Sequence, residues 1–334
     1  MTASNAAALA STSIYVSNDA GATWTQVFNS GNSAGTIQAG TQTTIKLAAG
    51  PGGSIAAGVV DTSTGKLVGL FLSNNGGTNW AQLPTPDVNP GGQAPVNIAL
   101  AIDPTNSKVV YVAGDNNFDN NGGFNAVTAF RVNANNNTIT SLTDDTGIAT
   151  NTANGSTVHP DARALTFDAS GRLILTSDGG IYARTLPQSN AGVWQGLNGN
   201  LQVYELYGIA YDGVSKRLVV SAQDNGSSIQ TAPGNGLFNQ IGAGDGINAV
   251  VNDKTLGDRS AIYTSFQFLG GLQRNILDSQ GNIISPKSGP AYAPGVPVNF
   301  TNGPISGAWF SSPFVLNRID PTRIAVGGNH VYVT

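Results

Sequence analysis

"LTFDASGRLILTS", residues 165–177, is an apolar run ending on Asp168, a short Ala-Ser-Gly turn, and a second run opened by Arg172. The same order returns in "LAIDPTNSKVVYVAG" (100–114), "IAYDGVSKRLVVSA" (209–222) and "LNRIDPTRIAVGG" (316–328). Apolar runs rich in β-branched residues and bounded by Asp, Gly, Pro and Asn are strands between turns. A strand pair recurring roughly every 40 to 60 residues has the period of propeller blades.

Further strand candidates lie between these hairpins, among them "SIAAGVV" (54–60), "KLVGLFLS" (66–73), "NAVTAFRV" (125–132) and "AIYTSFQF" (261–268). No window of about 12 residues keeps a helical period. The expected fold is all-β, a β-propeller of about six to seven four-stranded antiparallel blades, each with its first strand nearest the axis and its last at the rim. Residues 1–334 are expected to form a single propeller domain. The front, "SIYVSNDAGATWTQVF" (13–28), supplies the third and fourth strands of a blade. The back, "FVLNRIDPTRIAVGGNHVYVT" (314–334), supplies a first, a second and a third. A blade shared between the termini would leave no open edge. Because both ends offer a third strand, the chain also reads as an excised part of a longer surface protein.

Composition agrees with a large, turn-rich β core. The chain has 43 glycines, 16 prolines, 40% hydrophobic residues and only 10% charged ones. It has no cysteine, which excludes disulfides and thiolate metal sites. The net charge of -4 is spread without runs, so no nucleic-acid partner is expected. Glu205 is the sole glutamate, and Asn, Gly, Ala, Ser and Thr abound, as in bacterial secreted and surface repeat proteins. No run of about 18 apolar residues spans a membrane, and "MTASNAAALAS" lacks the basic start and long apolar run of a signal peptide. On its composition the expected location is extracellular or at the bacterial cell surface, with any export signal removed or outside this sequence.

"SNDAGATW" (17–24) carries Ser17, Asp19, Gly21, Thr23 and Trp24, and a degenerate copy, "SNNGGTNW" (73–80), keeps Ser73, Gly77 and Trp80. These residues match the Asp-box, or BNR repeat, whose resemblance implies a structural turn between the third and fourth strands of a blade. The chemistry agrees: the carboxylate caps turn amides, Gly allows a positive φ, and the indole is expected to fill space between blades. Further on, "VHPDARALTFDASGRLILTSDGGIYART" (158–185), "RLVVSAQDNGSSIQT" (217–231) and "FNQIGAGDG" (238–246) follow one another. Their order resembles the sortilin-like BNR propellers of bacterial secreted proteins, which show His-x-Asp, Asp-Gly-Gly, Gln-Asp-Asn-Gly and Gly-Asp-Gly elements blade by blade. The chain departs from that pattern at Arg163, where the group often has a second His, and at Glu205, where it commonly has Gln.

The polar residues of these turns are the candidate ligand-binding set: His159, Asp161, Arg163, Asp178, Gln223, Asp224, Asn225 and Asp245. In a propeller the starts of inner strands line the channel, so this set is expected at the channel face, with Asp161 pairing Arg163 or orienting His159. Turn carboxylates satisfying backbone amides are the competing explanation for Asp178 and Asp245. The expected function is a binding or interaction module for a glycan or protein ligand. The alternative is a glycan-directed hydrolase or lyase, for which Asp161, Asp224 and Glu205 are the catalytic candidates. A second alternative is a structural spacer in an adhesin or autotransporter passenger. A sialidase is disfavoured because the Phe-Arg-Ile-Pro signature is missing. Two histidines, His159 and His330, without cysteine speak against zinc. Calcium on the Asp-rich turns is the one cofactor the composition leaves open, although no known calcium loop is present.

Overall fold

The computed structural model describes residues 5–9, 13–28, 43–118, 124–143, 152–201, 204–284 and 306–333. The chain divides into two compact units, Met1–Gln202 and Val203–Thr334. Among the described residues, helix is confined to two short 3-10 turns, Pro51–Gly53 and Gln267–Leu269.

The first unit holds β1 (Asn5–Leu9), β2 (Ser13–Ser17) and β3 (Thr25–Phe28) in one sheet. Three four-stranded sheets follow. The first is β4 (Thr43–Ala49), β5 (Ile55–Asp61), β6 (Lys66–Ser73) and β7 (Ala81–Leu83). The second is β8 (Ala99–Ile102), β9 (Val109–Phe118), β10 (Phe124–Asn133) and β11 (Thr138–Ser141). The third is β12 (Ala162–Phe167), β13 (Leu173–Ser177), β14 (Gly180–Arg184) and β15 (Trp194–Gly196).

The second unit opens with β16 (Leu206–Asp212), β17 (Arg217–Ala222), β18 (Gly226–Gln230) and β19 (Phe238–Gly242). It continues with β20 (Gly246–Asn252), β21 (Ser260–Phe266) and β22 (Gln273–Leu277), then β23 (Phe314–Leu316), β24 (Ile324–Gly327) and β25 (Val331–Val333). In every sheet, sequence neighbours pair antiparallel in chain order, which is the meander of a propeller blade. The fold is an all-β propeller fold, and the described residues form seven sheets.

The Asp of the repeated hairpin caps the turn that follows the inner strand. Asp168 accepts from the amides of Ser170 (3.0 Å) and Arg172 (2.8 Å) and from Arg172 Nε (2.7 Å). Asp103 accepts from the amides of Thr105 and Asn106 and from Tyr111 Oη at 3.0 Å. Asp212, fully buried, accepts from Val214 N (3.0 Å), Ser215 Oγ and Ser260 Oγ (2.8 Å). An Asx turn of this kind supplies the turn's missing acceptors and holds the strand pair in register.

Apolar clusters lie between successive sheets. Ala99, Ala101 and Tyr111 meet Ala162, Leu173, Leu175 and Trp194 in the first unit. Val219 and Ile229 meet Ala249, Ile262 and Leu277 in the second. Central strands buried on both faces explain the unbroken apolar runs: six successive residues of β5, Ile55 to Val60, are buried. Full burial of Ile55, Val59 and Val60 contributes about 1.5 to 3 kcal/mol each.

The segments 17–24 and 73–80 form the same turn. Gly21 N donates to Ser17 Oγ (2.7 Å) and Thr23 N to Asp19 Oδ1 (2.8 Å). In the second segment Gly77 N donates to Ser73 Oγ (2.9 Å), and Asn75 Oδ1 accepts from Asn79 N (2.9 Å) in place of the carboxylate. The tryptophans differ. Trp80 packs edge-on against Phe28 with centroids 5.6 Å apart. Trp24 is 45% exposed and only ties its Nε1 to Gly21 O at 3.1 Å, so its expected packing between blades is corrected.

Strand ends also differ from expectation. β23 stops at Leu316 because Asn317 Oδ1 accepts from the amides of Ile319 and Asp320, turning the chain. β21 stops at Phe266, where Phe268 and Leu269 enter the left-handed region at φ 58 and 56.

Candidate functional site

In the first unit, His159, Asp161, Arg163 and Asp178 come together where β12 begins and β13 ends. The approach to β12 is anchored by Val158, which is buried and accepts from Val127 N at 3.2 Å. Pro160 follows His159, and Asp161 sits in the left-handed region at φ 66, a conformation Asp tolerates better than most residues. The pairing then slips: Ala162 faces Ser177 and Ala164 faces Thr176, leaving Arg163 as an extra residue. A bulge of this kind re-aims a side chain, and Arg163 is exposed at the strand's start.

Asp178 is the hub. His159 Nδ1 lies 3.1 Å from its Oδ1, and Arg163 Nη2 donates to its Oδ2 at 3.3 Å. The expected partner of these bases was Asp161; the hub is Asp178 because the end of β13 points its carboxylate at the bulge. Gly179 completes the arrangement, since a Cβ there would stand 2.1 Å from His159 Cγ.

The two aspartates are pushed apart electrostatically. Burial raises the Asp178 carboxyl, but the hydrogen bond and charge of His159 and the Arg163 guanidinium outweigh it, leaving it below the usual carboxylate range. Asp161 is pushed up to about 6, by burial first and then by the charges of Asp178 and Asp115. Its Oδ1 is buried without a hydrogen-bond partner. Asp115 is fully buried, accepts from the amides of Gly91 (3.1 Å) and Gln93 (2.8 Å), and is itself raised by burial.

Asp115 is absent from the sequence-based candidates, yet a signal for it exists. It follows "KVVYVAG" as Asp178 follows "RLILTS", within a blade's second strand in the one case and just after it in the other. The buried Arg184 was equally hidden inside "YART"; it donates to Leu142 O (3.1 Å), Ser189 O (3.2 Å) and Thr152 O.

In the second unit, the Gln-Asp-Asn-Gly candidates form the tight turn between β17 and β18. Gln223 N donates to Glu205 O (3.0 Å), and Asn225 Nδ2 donates to Gln223 O (2.9 Å). Asp224 lies at φ 58, and its amide donates to Asp245 Oδ1 at 3.0 Å. Asp245 N in turn donates to Gln267 Oε1 at 2.9 Å. These polar groups do turn chemistry, and Glu205 contributes a backbone acceptor and an exposed carboxylate.

A hard cation would need six to eight oxygens. The oxygens of Asp178 face a guanidinium and an imidazole, which is poor ground for calcium. Among the described residues, no helix is long and apolar enough to cross a membrane.

No family model matches the chain, and no curated protein matches its sequence. Among solved structures, a GH74 xyloglucanase from Xanthomonas campestris is 15% identical with a TM-score of 0.47, over 97% of this chain and 50% of that one. YCF48 from Cyanidioschyzon merolae is 11% identical with a TM-score of 0.32, over 99% and 98% of the two chains. An ancestral GH74 enzyme is 15% identical with a TM-score of 0.36, over 85% of this chain and 36% of that one. The chain thus spans half or less of the length of these two GH74 enzymes. Fold does not decide function.

Proposed function

We propose that the protein is a secreted or cell-surface binding module of the sortilin-like BNR type, and that it takes a carboxylate-bearing ligand, glycan or protein, at Arg163 and His159. The observation that carries this is the bulged Arg163. Its guanidinium has five donors, is exposed, and makes one hydrogen bond among the described residues, to Asp178. A planar fork held by one edge and open at the other suits a bidentate carboxylate. His159, fixed by Asp178 and Gly179, stands beside it as a second polar contact.

One observation favours a second reading, glycan hydrolysis. Asp161, raised to about 6, and Asp178, held ionised, are the kind of split pair that divides acid from base or nucleophile. Incubation with acidic and neutral polysaccharides separates the two. Retention on an acidic polysaccharide gel without release of reducing ends supports binding. Release of reducing ends that Asp161→Asn abolishes supports the hydrolase.

A further inference from the structure

The second unit has an end built differently from its opposite end. On it lie the starts of β16, β20 and β23 and the connections β17–β18, β21–β22 and β24–β25. Its side chains are aromatic and acidic. Tyr207 and Phe310 meet edge to face with centroids 6.2 Å apart, and Phe268 and Phe310 do so at 5.9 Å. Phe268 N also donates to Phe310 O at 3.1 Å, which ties the two segments together. Beside them Trp309 is 65% exposed and Phe268 59%. Large aromatics exposed in one contiguous group mark an interaction surface, whereas scattered ones do not.

Two backbone features hold these rings outward. Tyr207 is the extra residue of a slip in which Leu206 faces Ala222 and Gly208 faces Ser221. Phe268 sits at φ 58, a left-handed conformation unfavourable for a bulky side chain, and the fold keeps it there although its ring gains little burial.

Two carboxylates lie near the rings, and among the described residues the one base in the connecting turns at this end is His330, between β24 and β25. Glu205 lies two residues before Tyr207, and Asp245 binds the side chain of Gln267, next to Phe268. Among the described residues of this unit, Lys216, Lys254, Arg259, Arg318 and Arg323 fall in the turns at the opposite end, and Arg217 opens β17 beside them. Arg274 lies within β22, with its Nε on Tyr263 Oη at 3.2 Å. The aromatic end therefore offers π faces and carboxylates with no arginine or lysine of its own in the connecting turns.

We propose that this surface docks a lysine- or arginine-bearing peptide segment of a partner protein, with the cationic side chains over Trp309 and Phe268 and their charge met by Glu205 and Asp245. A cation above an aromatic face gains from the ring quadrupole, and neighbouring carboxylates add charge complementarity. This site goes beyond the ligand proposed for Arg163, has the opposite ligand charge, and stands or falls separately.

Fluorescence polarisation with a labelled Gly-Arg-Gly-Arg-Gly peptide tests it, alongside the Glu counterpart and unlabelled cellohexaose as competitor. The expected result is binding of the Arg peptide alone, weakened at least tenfold by Trp309→Ala and about fivefold by Glu205→Gln with Asp245→Asn. If Trp309→Ala fails to fold, Phe268→Asn serves instead, since Asn accepts the left-handed conformation while removing the ring. Equal binding of the Glu peptide, displacement by cellohexaose, or unchanged affinity in the ring variants would overturn the proposal.

Discussion

Gly179 and His159 are in contact so close that a Cβ on residue 179 would lie 2.1 Å from the imidazole Cγ. That contact sets the ring 3.1 Å from Asp178 Oδ1. Gly179→Ala is therefore expected to push His159 off Asp178 and to destabilise the protein by about 1 to 3 kcal/mol, the usual range for overpacking. The His159 ring signals in an NMR titration should lose their dependence on Asp178. Unchanged signals and melting temperature would mean the site tolerates the side chain and the close approach is not required.

Asp161 and Asp178 act on stability with opposite signs. Asp161 has a folded value of about 6 against 3.8 for the free group, so the native state holds the extra proton and stability falls as pH rises from about 4 to 6. Facing it are Asp178, Asp115, Arg163 and His159. Asp161→Asn removes that loss, and the variant should be more stable than the parent at pH 7.5 by up to about 3 kcal/mol, at about 1.4 kcal/mol per unit. The two should coincide near pH 4. Asp178, held low, contributes stability above 3.8 that is lost as pH falls through its lower folded value. Denaturant unfolding across pH 3.5 to 8 reads both, and an Asp161→Asn curve parallel to the parent's would contradict the assignment.

Trp24 and Trp80 should respond unequally. Trp80→Ala removes a ring packed on Phe28 and is expected to cost about 3 kcal/mol. Trp24→Ala removes a largely exposed ring and should cost less than about 1 kcal/mol. Urea midpoints of the two variants check this; equal losses would mean Trp24 has packing that its exposure does not show.

Asp212 links three donors, Val214 N, Ser215 Oγ and Ser260 Oγ, at a fully buried position. Asp212→Ala strands them and is expected to cost about 3 kcal/mol or more, at about 1 to 3 per buried unsatisfied group. Asp320, which caps an exposed turn with the same sequence logic, should matter far less when changed to Ala. Thermal unfolding of the pair separates burial from turn chemistry.

The hairpin repeat was legible because its Asp does visible work: the four hairpins of Asp103, Asp168, Asp212 and Asp320 form the first two strands of their sheets, while the similar Asp61–Lys66 hairpin joins the second and third strands of its own. The outer strands were harder. β15 and β25 are three residues each, too short for a period to register. Of the site, the sequence marked His159, Arg163 and Asp178, but it could not show that Arg163 is bulged or that Asp178 is its partner. A one-residue register slip leaves no compositional trace. Asp115 and Arg184 are buried polar groups whose partners are mostly backbone amides or carbonyls, and such partners have no sequence signature. Trp24 and Trp80 share a motif; their neighbours, not the motif, decide that Trp80 is packed and Trp24 is not.

The most direct test of the proposed function is calorimetric titration with an oligogalacturonate and, separately, an oligoglutamate peptide, using the parent and a His159→Ala/Arg163→Ala variant. Melting temperatures of both proteins are measured alongside. The account predicts that at least one of these carboxylate ligands binds the parent, and that the double variant loses at least tenfold in affinity while melting within about 2 °C of it, a shift of roughly 1 kcal/mol or less. Equal affinity of the two proteins, or no binding of either ligand by the parent, would contradict it.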